Sequence, residues 1–419
     1  MTTTMRHLLL LSNGFYPDRS TGTPYWCSLV AEKLAGSDRV TVLACSDDAP
    51  VAPSMPVERM IGTQRVLMWR ERPGTYDDPV RQFFRPELDA ALDAIVDRER
   101  PDAALALNFA GFSSTIAAAF VRRGIPLFYY VNDVAPFCCE GYFSRPEQTP
   151  CIDSNDGASC VRCLQRHSRD AAIAAALRNW SRCLARSFAG VAAPTRWFAD
   201  RLCAEVGEER GSARYRVIRY GLPPRAPVSR RASRNPQVFA VYGGGEARKG
   251  GAVLLESCDR IVARRGVLPF SLRWYGGQPP QERAYVDQRG AVSPDALMAA
   301  MESEIDVSLF PSFGEVFPLT MLQSLQASVP VITTALGGYE EMLTDGHDSV
   351  FVPAGDARAL ADALERVAGG SLHLTADRTK VRSVDKAAGE LRAMLAEPVL
   401  PTVSANDLEE ARDAVCGLL

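Results

Sequence analysis

One stretch of this chain, residues 307–343, strongly limits how the polypeptide can fold. Val307–Phe310 is a short apolar run that suits a buried strand, and Val329–Thr334 is a second run rich in β-branched residues. Between them, Leu319, Leu322 and Leu325 recur at helical spacing. Two buried strands joined by one helix run parallel, so the stretch predicts a βαβ unit in an open α/β sheet.

The polar residue of interest in this stretch is Glu315. It lies in the loop between the strand end and the helix start, which is where open parallel sheets place their ligands. Pro318 suits the first helical position, so the free N–H groups of that helix face the same space and suit a phosphate. A carboxylate beside an anion site fits a ligand that joins phosphate to a hydroxyl-rich group, as nucleotide sugars do. The alternative is a capping glutamate on an ordinary α/β turn.

The residues around Glu315 also resemble the signature of a known protein family. The run Pro311-Ser-Phe-Gly-Glu315-Val-Phe-Pro-Leu-Thr-Met-Leu-Gln323, followed by Pro330-Val-Ile and Gly337-Gly338-Tyr-Glu-Glu, resembles the signature of family-4 retaining glycosyltransferases. That signature has two glutamates eight positions apart. Glu315 matches the first, whereas Gln323 stands at the second. The resemblance implies a GT-B fold, which is an α/β architecture of two facing Rossmann-like domains with an interdomain cleft.

Composition agrees with a globular protein of two domains. The chain has 419 residues, of which 47% are hydrophobic and 23% charged. The net charge of −3 gives no indication of a nucleic-acid partner. No apolar run approaches the roughly 20 residues of a membrane span. Leu8–Leu11 is too short for a signal peptide. We therefore expect a cytoplasmic protein without a transmembrane segment, and peripheral association with a membrane stays open.

The first half of the chain alternates predicted strands and helices, which is typical of a doubly wound sheet. The resemblance implies that residues 1–222 form the acceptor-binding domain, and that Gly22, near the end of the loop after the first strand, lies against the donor. The predicted strands are His7–Leu11, Arg39–Ala44, Val66–Arg70, Ala103–Leu107, Leu127–Val131 and Gly190–Ala193. The predicted helices include Tyr25–Leu34, Phe83–Glu99 and Ser114–Arg122.

Asn132 and Asp133 follow the strand that ends at Val131. The family usually carries His-Asp at this place, and the histidine contacts the donor sugar or the reaction centre. The resemblance therefore makes Asn132 and Asp133 candidate catalytic residues. An asparagine can still form hydrogen bonds, but it cannot take up a proton at neutral pH. The alternative is a turn with a helix cap.

A cysteine-rich insertion occupies about residues 136–168 of the first domain. Four cysteines are candidate zinc ligands, because a long loop without apolar periodicity needs support and four thiolates around Zn²⁺ would supply it. They include one Cys-x2-Cys pair and are Cys139, Cys151, Cys160 and Cys163. Similar insertions occur in a subset of the family. The alternative is a set of reduced, partly buried thiols, which is expected of cytosolic cysteines.

The second domain is predicted to cover residues 223–395, after a linker rich in Pro, Arg and Ser. Its first strand, Val238–Tyr242, leads into a glycine-rich loop that contains Arg248 and Lys249. The loop resembles the one in which the family grips the donor diphosphate with a lysine, and the chain has only four lysines. The family commonly has an arginine where Gly244 stands, and Arg248 is a candidate replacement for that charge. The alternative is a solvated basic turn.

The resemblance also implies the remaining donor contacts. Val292, in the predicted short strand Gly290–Val292, would place its backbone at the nucleobase. Gln323 would meet the ribose hydroxyls. The start of the predicted helix would hold the leaving phosphate through Phe317, Pro318, Leu319 and Thr320. The terminal segment, 396–419, is expected to be helical and to cross back to the first domain.

Taken with the resemblance, these residues predict transfer of a sugar from a nucleoside-diphosphate sugar to an acceptor hydroxyl, with retention of configuration. The acceptor would be a glycan, a lipid-linked sugar or a natural product, and Glu315 would hold sugar hydroxyls near the anomeric carbon. We expect no catalytic metal. Asn132 and Gln323 leave two alternatives open: a GT-B enzyme of different chemistry, such as pseudo-glycosidic coupling or epimerisation, and a non-catalytic binding subunit.

Overall fold

The computed structural model describes residues 5–52, 55–71, 80–81, 83–138, 141–145, 147–151, 158–165, 170–226, 237–243 and 246–419. The chain divides into two compact units. The first unit contains Met1–Tyr142, Ile152–Arg219 and Val384–Leu419, and the second contains Phe143–Cys151 and Tyr220–Ser383. Among the helices within the described residues, none is both long and apolar enough to cross a membrane.

The first unit is built on an eight-stranded sheet in the order β10-β9-β6-β5-β1-β2-β4-β3. Neighbouring strands run parallel, except that β3 is antiparallel to β4. The strands are β1 His7–Ser12, β2 Arg39–Cys45, β3 Val57–Ile61, β4 Gln64–Trp69, β5 Ala103–Ala106, β6 Leu127–Tyr130, β9 Gly190–Ala193 and β10 Tyr215–Val217. The central strands are buried along their whole length, as parallel strands covered on both faces must be.

Three strands of the structure were not predicted from the sequence. The antiparallel edge strand β3 was not predicted, because its residues are largely exposed and Glu58 and Arg59 interrupt its apolar residues, so it gives no buried apolar run. Two further strands, β7 Ser144–Arg145 and β8 Thr149–Pro150, form a short antiparallel pair within Phe143–Cys151, the segment assigned to the second unit. The predicted insertion 136–168 is therefore shared between the two units.

Among the described residues, the first part of the first unit contains six α-helices. They are α1 Gly22–Leu34, α2 Asp89–Glu99, α3 Ile116–Arg122, α4 Ala158–Gln165, α5 Ala171–Ser187 and α6 Arg196–Val206. Asp170 caps α5 and Thr195 caps α6 by accepting hydrogen bonds from backbone N–H groups of the first turn. The helix predicted from Phe83 begins only at Asp89, because Pro86 opens a separate 3-10 turn and disfavours helical backbone at the residue before it.

The last two helices, α11 Val384–Ala396 and α12 Ala405–Cys416, also lie in the first unit. Arg392 of α11 donates a hydrogen bond to the carbonyl oxygen of Lys33 at the end of α1. In α12, Arg412 forms an ion pair with Asp89 of α2. The chain thus returns to the first unit at Val384, earlier than the boundary at 396 expected from the sequence, because α11 packs against α1.

The second unit contains a six-stranded, wholly parallel sheet in the order β13-β12-β11-β14-β15-β16. Its strands are β11 Val238–Tyr242, β12 Ser271–Tyr275, β13 Val286–Gly290, β14 Val307–Phe310, β15 Val331–Thr334 and β16 Ser349–Val352. Its helices are α7 Gly251–Arg265, α8 Pro294–Ser303, α9 Leu319–Gln326 and α10 Ala357–Ala368. The strand order reverses between β11 and β14, and ligands of open α/β sheets bind at such a switch point.

Candidate active site

The candidate active site of the second unit lies at the carboxyl ends of β11 and β14. The loop from Gly243 to Gly250 follows β11, and the loop from Pro311 to Pro318 follows β14. A backbone hydrogen bond from the Phe313 N–H to the Arg248 carbonyl oxygen joins the two loops at 2.7 Å. The glycine-rich loop and the Glu315 loop, which were predicted separately, therefore form one site.

Glu315 lies at the centre of this site and is 9% exposed. Its Oε1 atom lies 2.8 Å from Arg248 Nη1 and 2.7 Å from Lys249 Nζ. Arg248 also contacts the exposed Glu246, at 2.5 Å, and donates a hydrogen bond to the Gly314 carbonyl oxygen. Two cations thus converge on one buried carboxylate oxygen.

This arrangement keeps Glu315 ionised. Burial by itself raises the pKa of the carboxyl group, but the charges of Arg248 and Lys249 outweigh burial and lower the pKa to about 2. Both cations meet the same oxygen atom at distances typical of charge-assisted hydrogen bonds, so charge and hydrogen bonding together hold the carboxylate.

Two glycines allow the loop after β11 to take this course. Gly250 has φ of 72°, and a Cβ atom there would lie 1.9 Å from the Pro311 carbonyl oxygen. Gly243 has φ of 106°, and a Cβ atom there would lie 2.9 Å from Cδ of Lys249. The Lys249 side chain therefore passes directly over Gly243. Gly244, the position that carries an arginine in the resembling family, lies outside the described residues.

The helix α9 begins beside Glu315. Pro318 is its N-cap residue, not its first helical residue as predicted, because its ψ of 123° is extended. Leu319 and Thr320 form the first turn, where backbone N–H groups lack partners within the helix. Phe317 is buried immediately before them. The four residues predicted to hold a phosphate thus lie at a helix N-terminus.

A chain of buried hydroxyl groups fixes this helix to the sheet. Ser324 Oγ of α9 lies 2.8 Å from Ser308 Oγ of β14, and Ser308 Oγ lies 2.7 Å from Tyr242 Oη of β11. All three groups are buried. The N-terminus of α9 is therefore held in a fixed position relative to both strands.

Gln323 lies one turn further along α9. It is 4% exposed, and its side-chain amide forms no hydrogen bond with any described residue. None of its amide atoms is among the buried polar atoms without a partner, so the amide keeps some exposure and is available to a ligand. Val292 does not lie in a strand as predicted, because β13 ends at Gly290, which has φ of 68°. Val292 instead lies in the loop before α8, and it is half-buried.

Three further candidates lie in the first unit. Gly22 is the exposed first residue of α1, and a Cβ atom there would meet no described atom within 4 Å. The residues around Gly22 therefore leave room for a side chain. In contrast, a Cβ atom at Gly14, in the same loop, would lie only 2.7 Å from Cδ of Arg19. Asn132 donates a hydrogen bond from Nδ2 to the Leu107 carbonyl oxygen at 2.7 Å.

Asp133 is 3% exposed at the carboxyl edge of β6. Its Oδ1 atom accepts hydrogen bonds from the Ala135 N–H at 2.9 Å and from the Tyr129 hydroxyl at 2.9 Å. Burial raises the pKa of Asp133 to about 6, although both hydrogen bonds act in the opposite direction. The Ala135 contact is that of a capped turn, so Asp133 has a structural role whether or not it takes part in chemistry.

The described residues give no support for the predicted zinc site. Cys139 lies outside the described residues. Cys151 belongs to the segment assigned to the second unit, whereas Cys160 and Cys163 lie on α4 in the first. Among the described residues, no group of three or more His, Cys, Asp or Glu side chains is placed to hold a metal ion.

Two groups of residues near the carboxyl ends of the strands were not predicted as functional. Tyr339 is fully buried in the turn after β15, and its hydroxyl has no hydrogen-bond partner among the described residues. In the first unit, Arg19 pairs with Glu71 at 2.7 Å and with Asp47 at 2.7 Å. Arg19 also donates to the Asn13 carbonyl oxygen. The sequence could have indicated Tyr339, because it follows Gly337-Gly338 directly. Arg19, Asp47 and Glu71 come from three separate loops, so no local sequence pattern indicates that they meet.

Several known proteins resemble parts of this chain. Residues 236–369 match the family model described as glycosyl transferases group 1. A phosphatidyl-myo-inositol mannosyltransferase of Mycobacterium leprae is 39% identical over 71 residues, which are 17% of this chain and 19% of that protein. A D-inositol 3-phosphate glycosyltransferase of Paenarthrobacter aurescens is 28% identical over 187 residues, 44% of this chain and 42% of that protein. The matches thus span less than half the length of these relatives.

The fold of the whole chain also resembles a solved structure. An α,α-trehalose-phosphate synthase (UDP-forming) from Burkholderia xenovorans, in complex with glucose-6-phosphate, superposes with a TM-score of 0.63 at 10% identity. The match covers 93% of this chain and 100% of that one. The α/β fold with parallel sheets expected from the sequence is thus confirmed. The second unit contains a glycosyl transferase group 1 domain, and the chain has the GT-B fold of glycosyltransferases.

Proposed function

We propose that this protein is a family-4 retaining glycosyltransferase that moves a sugar from a nucleoside-diphosphate sugar to an acceptor hydroxyl. The observation that carries the proposal is the convergence of Arg248 and Lys249 on the buried, ionised Glu315. This cluster lies at the switch point of a parallel sheet, beside the N-terminus of α9. Cations, a helix N-terminus and a carboxylate together suit a ligand with a diphosphate at one end and sugar hydroxyls at the other.

In this proposal the donor diphosphate binds Arg248 and Lys249 and replaces Glu315 as their partner. A diphosphate offers these cations several charged oxygen atoms, whereas they share the single Oε1 atom of Glu315. The first turn of α9, from Phe317 to Thr320, adds backbone donors for the same phosphates. These groups stabilise the diphosphate as it leaves with its negative charge.

Glu315 then acts on the sugar. The bond between the anomeric carbon and the phosphate oxygen breaks, and the acceptor oxygen forms a new bond to the same face of that carbon. The acceptor proton passes to the departing phosphate oxygen. Positive charge develops on the sugar ring between these events, and the ionised Glu315 carboxylate offsets it while accepting hydrogen bonds from the sugar hydroxyls. No metal is required for these steps.

The relatives support the proposal and suggest its substrates. Two act, by name, as a mannosyltransferase on phosphatidyl-myo-inositol and as a glycosyltransferase of D-inositol 3-phosphate, and the structural neighbour forms UDP. We therefore propose a UDP- or GDP-linked hexose as donor and a sugar or polyol hydroxyl as acceptor. Gln323 would meet the donor ribose and the Val292 backbone its base.

The proposal assigns the acceptor to the first unit, residues 1–142, 152–219 and 384–419. Asn132 and Asp133 would contact the reacting groups, and Gly22 would leave room for the donor. A cytoplasmic location, with or without peripheral association with a membrane, is proposed because no disulfide joins the described cysteines, as expected in a reducing compartment.

The test is transfer with a panel of nucleotide sugars. Each of several UDP- and GDP-linked hexoses is first screened for binding by thermal shift, and the binders are incubated with polyol and glycan acceptors. The expected result is nucleotide release that depends on the acceptor, and NMR of the product should show the anomeric configuration of the donor. Inverted product would contradict the retaining mechanism. Donor binding without release, with every acceptor tried, would instead favour a non-catalytic binding subunit.

A further inference from the structure

Two asparagines lie side by side at the carboxyl ends of β1 and β5, which are neighbouring strands of the first sheet. Asn13 and Asn108 each follow by two residues the paired positions Leu11 and Ala106. The Asn13 N–H donates a hydrogen bond to Asn108 Oδ1 at 2.9 Å. The side chain of Asn108 therefore fixes the backbone where β1 ends.

The rest of the hydrogen-bonding capacity of these two amides is unused. Asn13 Oδ1 has no hydrogen-bond partner among the described residues, and neither Nδ2 group donates to any of them. Asn108 is only 3% exposed, and amides that are buried so far are normally paired because desolvation without a partner is costly. Neither Nδ2 atom is fully buried, so both remain open to a ligand at the surface of the unit.

An ion cluster holds the loops around the two asparagines. Arg19 Nη1 donates to the Asn13 carbonyl oxygen at 2.8 Å and to Glu71 Oε1 at 3.1 Å. Its Nη2 atom pairs with Glu71 and with Asp47, each at 2.7 Å. Glu71 packs against Gly111, where φ is 79° and a Cβ atom would lie 2.5 Å from Oε1. The loops after β1, β2, β4 and β5 are thus joined.

The same cluster leaves little positive charge for an anionic ligand. Arg19 is shared by two carboxylates, and one of them, Glu71, is buried. A phosphate would have to displace that buried carboxylate in order to bind the guanidinium group. Arg70 is exposed and donates to the Asp47 carbonyl oxygen. Neutral amides beside a neutralised arginine suit hydroxyl groups, which both donate and accept hydrogen bonds.

We propose that Asn13 and Asn108 bind the hydroxyl groups of a neutral sugar or polyol acceptor, and that Arg19 is a positioning residue and not a phosphate ligand. This inference rests on the proposed function and deepens it, because it names a class of acceptor and the residues that select it. The backbone that carries the Asn13 amide is already fixed at its N–H and its carbonyl oxygen. Binding therefore has to order little more than the side chains.

The experiment measures binding of three neutral probes to the full chain, with UDP present, by saturation-transfer NMR titration. The probes are myo-inositol, methyl α-D-glucopyranoside and methyl α-D-mannopyranoside, and no transfer is needed. Asn13→Ala removes an amide that makes no hydrogen bond to the described residues. The affinity for the probe that binds should fall about three- to tenfold, as expected for one hydrogen bond between neutral groups. The unfolding temperature should not fall.

Asn108→Asp tests the second amide without releasing the first asparagine. The variant keeps the Oδ1 acceptor for the Asn13 N–H and loses the Nδ2 donor, so a similar loss of affinity is expected. Asn179→Ala, on the exposed side of α5 in the same unit, is the matched control and should bind the probe like the wild type. Should Asn108→Asp fold poorly, Asn13→Ala decides the question alone.

Glucose-6-phosphate tests the part of the inference that concerns charge. The wild type should bind it no more tightly than it binds the methyl glucoside. Tighter binding of the phosphate that is lost in Arg19→Met would assign this edge to an anionic acceptor and would overturn the inference.

Two other results would also overturn it: no binding of any neutral probe to the wild type, or wild-type affinity in Asn13→Ala. Where transfer to a probe is measurable, Asn13→Ala should raise the acceptor KM with little change in the donor KM. Probe binding that depends on both asparagines, without transfer from any nucleotide sugar, would instead overturn the proposed function and leave the polyol site established.

Discussion

Glu315 and Asp133 are two buried carboxylates that follow strands at the carboxyl edges of the two parallel sheets, yet their pKa values shift in opposite directions. Glu315 is 9% exposed and Asp133 is 3% exposed. Burial raises the pKa in both cases. At Glu315 two cations reverse the effect and the pKa falls to about 2, whereas Asp133 has only an N–H and an O–H donor and its pKa rises to about 6.

The difference shows what a hydrogen bond and a charge can each do for a buried carboxylate. Two good hydrogen bonds do not offset the loss of solvent at Asp133, but two positive charges more than offset it at Glu315. The second unit can therefore present a permanent negative charge to a ligand at neutral pH. The first unit holds a group that gains or loses a proton close to neutrality.

The largest expected effect comes from removing the charge of Glu315. Glu315→Gln keeps the shape of the side chain, and we expect kcat to fall about 100-fold or more, as for the loss of one preorganised electrostatic group. The diphosphate affinity should rise instead, because the cations lose their internal competitor. Single-turnover transfer and calorimetry with UDP measure the two quantities. Near-normal turnover would assign Glu315 to a structural role.

The next largest effect is expected at Lys249. Lys249→Met keeps most of the aliphatic stem over Gly243 but removes the charge. UDP affinity should weaken by about 1.5–3 kcal/mol, the range for a hydrogen bond to a charged group. Lys386→Met, on the exposed surface of α11, is the matched control and should bind UDP like the wild type. Equal affinity for UDP in both variants would mean that the loop containing Lys249 is a solvated basic turn and does not bind the donor.

We expect Asp133 and Glu315 to make the stability of the folded state depend on pH in opposite directions. A raised pKa in the folded state means that the stability contribution of Asp133 is present at low pH and is lost as pH rises from about 4 to about 6. Asp133→Asn retains the Oδ1 acceptor and should be more stable than the wild type by about 1–3 kcal/mol at pH 8. Urea unfolding at pH 4 and pH 8 is the measurement.

At pH 4 the difference between Asp133→Asn and the wild type should nearly vanish, since the folded wild type is then protonated. A constant difference at both pH values would mean that Asp133 is not the titrating group. For Glu315 the pKa is lowered, so its contribution to the stability of the folded state is complete above about pH 4.5. That contribution is lost only as the pH falls toward 2.

The smallest effect is expected at Gln323. Gln323→Glu would restore the charge that the resembling family has at this position, and donor binding should tighten by about 0.5–1.5 kcal/mol through a stronger hydrogen bond to ribose. The same change should not affect binding of inorganic pyrophosphate, which has no ribose. If UDP and pyrophosphate respond alike, or neither responds, Gln323 does not meet the ribose.

The candidate site residues were easiest to predict from the sequence where they lie within one βαβ unit. Glu315 and the start of α9 were predictable because a strand end, a loop and a helix start follow one another within a few residues. Lys249 was predictable from its glycine-rich surroundings. The fold class followed from buried apolar runs alternating with helical spacing, whereas the edge strand β3 was not predicted because Glu58 and Arg59 interrupt its apolar residues and most of the strand is exposed.

Features that depend on two distant loops could not be predicted. The closeness of Gly250 to Pro311 and the convergence of Arg248 on Glu315 require the loops after β11 and β14 to meet, and nothing local encodes their approach. The unpaired Tyr339 hydroxyl is visible only once its neighbours are placed. The zinc prediction has no support among the described residues, and spacing along the chain cannot show whether thiols point to a common centre.

The position of α11 and α12 has a consequence for how this protein is made. The first unit needs helices that are synthesised after the whole of the second unit, from Tyr220 to Ser383. At about 5–20 residues per second, a ribosome takes many seconds to cover that distance. During that time the surface that Val384, Leu391 and Leu395 will cover remains open on the nascent chain. The second unit is thus the first part of the protein able to fold to completion, although it begins later in the sequence.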